Sequence, residues 1–297
     1  MLMDLNTKRH IWHELHYAIE ATIGGLHHPQ EPDYIASLVT NLPNDLIQIL
    51  NRHIPNMQFN VGGCFIHQKP IVRFTSPQYI GYAKPELGDL LIVYKETKNN
   101  ADRYNALLLQ AKKTNNICNT HIRHQDQHQY TLYTEWPKFE YHRAGRLNGI
   151  SRSISPKTIT PGAQYLLIDE QHNAGHRHYP ATFWCAKADN PLEASNCLAT
   201  TVLQLIEFQT GRPFVAKGRN IDHWSQMIWD LLNLSTNSAF NRRRNGFRNC
   251  PRNSGDIITY LTTINNEEEL GGIEEGGISI ICIEGKCREE INENILR

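Results

Sequence analysis

The sequence predicts an α/β fold in which helices flank a central mixed β-sheet, with a helical region at the N-terminal end. Three observations predict it. About the first fifty residues set their apolar positions at helical spacing. From Val61 the apolar residues gather into strand-length runs instead. Helical patterns then return between further strands, an order that suits a layered α/β domain.

Residues 9–24 read as an amphipathic helix, with Trp12, Leu15, Ile19 and Ile23 on one stripe and Gly24-Gly25 stopping it. Asp33 is placed to cap a second helix through Thr40, and Pro43 suits the first turn of a third over 44–52. Residues 61–67 and 71–75 are expected strands. Two near-continuous apolar runs, 87–94 and 106–112, flank a polar turn at 98–102, which predicts a buried hairpin. Residues 125–136 suit a helix ended by Pro137, and 164–169 and 182–188 are strands. Helices are expected at 192–210 and 222–234, and a closing strand at 278–283. A boundary near residue 215 divides the chain into 1–215 and a C-terminal accessory segment, 216–297.

The 297 residues allow one large domain or two modest ones. Lys plus Arg number 30 and Asp plus Glu 30, so the formal charge is zero. That balance excludes a histone-like polycation and an acidic disordered tail, and leaves local charge to decide any nucleic-acid contact. No stretch approaches the ~18 apolar residues of a membrane helix, and the first residues resemble neither a signal sequence nor a transit peptide. Seven scattered cysteines without a CxxC argue against a disulfide framework and for a reducing cytoplasm.

Each apolar run of the hairpin carries polar groups that are costly to bury alone. Asp89 lies among Leu87, Leu90 and Leu91, and Lys112 ends the run Leu107-Leu108-Leu109-Gln110-Ala111. Side chains alternate along a strand, so Gln110 and Lys112 share a face, and an antiparallel partner brings Asp89 to the same end. Asp89 and Gln110 offer hard oxygens suited to Mg²⁺ or Mn²⁺. Lys112 can orient a water or steady a phosphate, a set that matches metal-assisted phosphodiester hydrolysis. The alternative is a core hairpin with a buried Asp89–Lys112 salt bridge and no chemistry.

The run Pro85-Glu86-Leu87-Gly88-Asp89, followed by Gln110-Ala111-Lys112, resembles the PD-(D/E)xK nuclease superfamily in its Q-x-K, Mrr-like form. Gln129-Tyr-Thr-Leu-Tyr133 resembles the Q-x-x-x-Y motif of its RecB-like branch. The resemblance covers roughly residues 9–190 and departs from the family at the missing Pro-Asp pair and at the neutral Gln110. It implies a restriction-endonuclease-like core and a Mg²⁺- or Mn²⁺-dependent endonuclease, acting on DNA rather than RNA. Asp89, Gln110 and the Ala111 carbonyl would hold the metal, and Lys112 would activate water. Glu86 and an acid of the first helix, Glu20 before Glu14, would support them. Gln129 and Tyr133 would contact phosphate or back the metal ligands. A prokaryotic role in defence against foreign DNA follows from the same resemblance. Candidate partners are nucleic acid, a protein of a multi-component defence system, and a second copy of the chain. A nuclease-fold subunit that binds nucleic acid or a partner without cutting is the alternative.

Residues 241–252 hold five arginines and no acid. Arg242, Arg243, Arg244 and Arg248, with Lys113, are candidate phosphate contacts. The alternative is a solvated loop facing the acidic stretch at 267–275. His10, His13 and His16 recur every third residue but form no H-E-x-x-H site, and Cys250, Cys282 and Cys287 fit no standard zinc spacing. Trp136, Phe139 and Tyr141 read as packing rather than as base-stacking residues.

Overall fold

The computed structural model describes residues 3–66, 70–79, 81, 84–157, 162–170, 180–218, 220–241 and 277–288, with the backbone alone over 236–241. The arginine run at 242–252 and the acidic stretch at 267–275 lie outside these residues.

The chain opens with α1 (Leu5–Ala21), which starts earlier than its apolar spacing because Asp4 caps it. The Asp4 carboxylate accepts from the Asn6 and Thr7 backbone N–H groups, 3.0 Å each. The expected second and third helices are one, α2 (Glu31–His53), with Pro43 inside it. Its cap is Gln30 rather than Asp33, which lies in the first turn and accepts from the Gln30 N–H at 2.8 Å. Pro43 has no N–H for the Val39 carbonyl one turn back. The helix continues because its apolar stripe, including Leu38, Val39, Leu42 and Leu46, is buried on the sheet. β1 (Met57–Cys64) runs beneath it. A side-chain carbon at Gly63 would lie 1.8 Å from the Val39 carbonyl oxygen, so only glycine admits this approach.

The hairpin forms as expected from β3 (Leu90–Lys98) and β4 (Ala101–Thr114), paired antiparallel with Leu90 opposite Leu109. Asn99 and Asn100 turn it with φ of 53° and 55°, the left-handed pair of a tight hairpin turn. β7 (Ala163–Asp169), β8 (Phe183–Ala186) and β9 (Ala194–Cys197) continue the sheet. The last strand takes the first part of the helix expected at 192–210, leaving α4 as Leu198–Ile206. Pairing with β8 outweighs helical periodicity there. The expected final strand is β11 (Ser279–Cys287).

Among the described residues the main sheet has eight strands in the order β1-β11-β3-β4-β7-β8-β9, with β10 (Arg212–Phe214) also on β4. β11 with β3, and β4 with β7, are parallel, and the other pairs are antiparallel, so the sheet is mixed. β11 is therefore an interior strand, and through it the segment 216–297 contributes the buried residues 278–283 to the sheet. Adjacent residues of β4 face opposite layers. Asn105 donates to the Leu205 and Thr210 carbonyls at the end of α4. Tyr104 meets Trp229 of α5 (His223–Asn241).

A small second sheet orders β2 (Ile71–Phe74), β5 (Phe139–Arg143) and β6 (Ser151–Arg152). Ahead of β5 lies the short helix α3 (Gln127–Glu135), closed by Trp136 at φ 43°. Trp136, Phe139 and Tyr141 are fully buried, so their rings are core and cannot reach a base. Among the described residues no helix is long and apolar enough to cross a membrane.

Candidate active site

The hairpin register places the chemistry. β3 begins at Leu90, and the preceding Asp89 donates its N–H to the Leu109 carbonyl at 2.9 Å. Beyond Leu109, β4 continues without a backbone partner on this side, and the Asp89 side chain fills the place. Its Oδ2 accepts from the Ala111 N–H at 2.7 Å and from Gln110 Nε2. The Ala111 carbonyl turns to the same edge as its N–H, as in any extended strand.

Asp89, Gln110, Ala111 and Lys112 line one cleft of about 110 Å³, room for several waters. It opens at the end of the sheet where β1 leaves and β3 and β11 enter. Glu86 and Gly88 line it from the segment before β3, and Gln129 from α3. Glu31, Pro32 and Ile35 of α2, Phe65 and Ile66 after β1, and Gly277 and Ser279 at the start of β11 complete the wall.

The salt bridge of the alternative reading is not formed. Lys112 Nζ lies 3.3 Å from Asp126 Oδ2, at the head of α3, and not on Asp89. Asp89 thus has no cation in contact among the described residues. Burial first, and then the Glu86 carboxylate, push its carboxyl up to about 7, against the opposing Ala111 hydrogen bond. Burial also raises Glu86, with Lys112 opposing and Glu31 adding to it. The carbonyl oxygens of Gln110 and Gln129 are both buried without a hydrogen-bond partner among the described residues. A buried carbonyl left unpaired is costly, and both of these line the cleft.

Tyr133 stands apart from the cleft. It is buried, and its hydroxyl donates to the Leu87 carbonyl at 2.9 Å. A side-chain carbon at Gly88 would come within 3.0 Å of that hydroxyl. Tyr133 therefore clamps the turn that presents Asp89 and cannot touch a phosphate. Of the Gln129/Tyr133 pair, one residue lines the site and the other positions it.

Glu20 is not brought to the cleft. Its two oxygens accept from the Thr182 N–H at 3.0 Å and the Thr182 hydroxyl at 2.7 Å, at the start of β8. Glu14 is likewise held elsewhere, by Arg52 and His53. The helical acid at the cleft is Glu31, the first residue of α2, whose Oε1 accepts from the Lys113 N–H at 2.8 Å. The Glu31-Pro-Asp33 start of a helix was legible as a terminus, but nothing in it pointed to the hairpin. Lys113 faces away from Lys112 and is held by the Pro29 carbonyl at 2.8 Å and Glu170 at 2.6 Å. Its charge is answered within the chain. Arg242, Arg243, Arg244 and Arg248 lie outside the described residues.

Among the described residues no three His, Cys, Asp or Glu side chains form a metal cage by themselves. A metal here would draw on amide and carbonyl oxygens as well. Asp89, Gln110 and the Ala111 carbonyl supply such oxygens, with Glu86 beside them. Compared with known proteins, the chain matches no family model, no curated protein and no solved structure.

Proposed function

We propose that the protein is a divalent-metal-dependent nuclease that hydrolyses phosphodiester bonds, in DNA rather than RNA. One observation carries the reading: Asp89, a half-buried carboxylate with no cation in contact among the described residues, stands beside the cleft wall formed by Gln110, whose carbonyl oxygen has no partner among them. Electron-rich oxygens withdrawn from water are stabilised by a cation. The donors are hard oxygens, which suit Mg²⁺ or Mn²⁺ rather than a soft metal. Few protein ligands leave places for water and for substrate phosphate.

When bound, such an ion acidifies a water and neutralises charge that builds on the phosphate. The chain does the rest. Lys112, held near the cleft by Asp126, donates to the attacking water or to a phosphate oxygen. Glu86 and Glu31 place further acceptors on the cleft wall. Tyr133 fixes the turn that carries Asp89. The choice of DNA over RNA, and a role in defence against foreign DNA within a larger system, rest on the sequence resemblance alone.

The test is a cleavage assay on supercoiled, linear and single-stranded DNA and on RNA, with Mg²⁺, Mn²⁺ or EDTA. Cleavage with metal and none with EDTA is expected. Asp89→Asn and Lys112→Ala should each lose about 100-fold or more. Gln110→Ala should lose cleavage, whereas Gln110→Glu should keep some and bind Mn²⁺ more tightly by calorimetry. Metal and DNA binding without cleavage would favour the non-cutting subunit instead.

A further inference from the structure

The outer face of the small sheet gathers positive charge that the cleft does not use. Arg73 on β2 and Arg143 on β5 are exposed, as is Lys84 just ahead of Glu86. His142 lies among them, its Nε2 2.9 Å from Lys84 Nζ. In that contact the ammonium donates and the ring accepts, so the ring is neutral. Slight desolvation, then Lys84, Arg73 and Arg143, hold His142 below its usual range. Among the described residues one acid answers the group: Glu140 pairs with Arg73 at 2.8 Å. Among the described residues neither Lys84 nor Arg143 has an acidic partner. The whole chain sums to zero charge, so composition does not force this crowding.

The crowding is unfavourable in the free protein and is relieved by an anion. Its position indicates which anion. Ile71 bridges to Glu86 of the cleft on one side and pairs with Arg143 on the other. Two strand spacings put the Arg143 backbone about 10 Å from that of Glu86. Val72 also bonds the Pro85 carbonyl at 2.9 Å, which ties the small sheet to the segment that carries Asp89. A phosphate seated in the cleft therefore has the next stretch of its chain over this face. Guanidinium and ammonium groups match phosphate oxygens.

We infer that Arg73, Lys84, His142 and Arg143 form a phosphate-backbone surface along which a nucleic acid enters the cleft. The inference rests on the nuclease reading for its substrate. The experiment separates the two, because binding is read in EDTA and cleavage in Mg²⁺. Binding of labelled duplex DNA, single-stranded DNA and RNA is measured by anisotropy across a salt series. The proteins are the wild type, Lys84→Gln/Arg143→Gln, and a control, Lys98→Gln, at the far tip of the hairpin. The double variant should flatten the log–log salt slope by up to ~0.9 per lost contact on duplex DNA and ~0.7 on single strands. The control should match the wild type. That result with no cleavage by any protein would support the surface and sink the nuclease. Cleavage with identical slopes would overturn the surface and keep the nuclease. Binding of a polyglutamate peptide that depends on Lys84 and Arg143, with no nucleic-acid binding, would also overturn it in favour of an acidic protein partner.

Discussion

Asp89 is a carboxylate held where water reaches it poorly, and its hold on a proton follows. In the metal-free chain its carboxyl sits at about 7, against 3.8 for the free group. Between those values the folded chain keeps a proton that the unfolded chain has lost. Stability therefore falls as pH rises from about 4 to about 7 and levels off above it. Urea unfolding in EDTA should show it for the wild type and not for Asp89→Asn. Mn²⁺ at pH 8 should restore the wild type alone. Parallel pH profiles for the two proteins would mean that Asp89 is well solvated. At this scale the hairpin residues were legible, because alternation along a strand is a local rule. Glu31 was not. Whether Glu20, Glu14 or Glu31 meets the cleft depends on how α1 and α2 cross the sheet, which no local pattern encodes.

Two elements hold the site in register, and each has a weak point. α2 lies on β1 only because Gly63 leaves room for the Val39 carbonyl that Pro43 does not bond. Gly63→Ala should destabilise the protein by at least 1–3 kcal/mol, the usual range for overpacking, read as a lowered denaturant midpoint with an unchanged slope. The turn before β3 depends on α3. Tyr133→Phe leaves the Leu87 carbonyl without its donor, which should cost about 1–3 kcal/mol. On the nuclease reading it should also lower kcat more than KM, since Asp89 loses its support and substrate contacts stay. Equal kcat in the wild type and the variant would show the clamp to be structural only. The hairpin was readable because its apolar runs are almost unbroken. α2 was split at Pro43 because proline usually ends a helix, and burial overrode that tendency. The strand β9 was hidden inside a helical pattern for a similar reason: its pairing with β8 is non-local.

The molecule as a whole is closed by its latest described strand. β11 was legible as a strand, but its place between β1 and β3 was not, because strand order is set by contacts far apart in sequence. The Ile66 carbonyl accepts from the Ser279 hydroxyl, and the two residues stand 213 positions apart. Without β11, β1 has no partner among the described strands and β3 has an open edge among them. A chain stopped at residue 276 should fail to give the cooperative unfolding transition of the longer chain. Adding a synthetic peptide of residues 277–288 should restore it in part. A cooperative transition without the peptide would mean that β1 and α2 fold independently of β11.

That arrangement also sets the order in which the cleft is assembled during synthesis. A chain leaving the ribosome can build α1, α2 and the β3–β4 hairpin from nearby contacts, and it already carries Asp89, Gln110 and Lys112. The wall made by Ile66, Gly277 and Ser279 cannot close until β11 has emerged. Long-range pairing of this kind is slow to form. A chain that stops short of β11 therefore carries Asp89, Gln110 and Lys112 without the cleft wall that Gly277 and Ser279 supply.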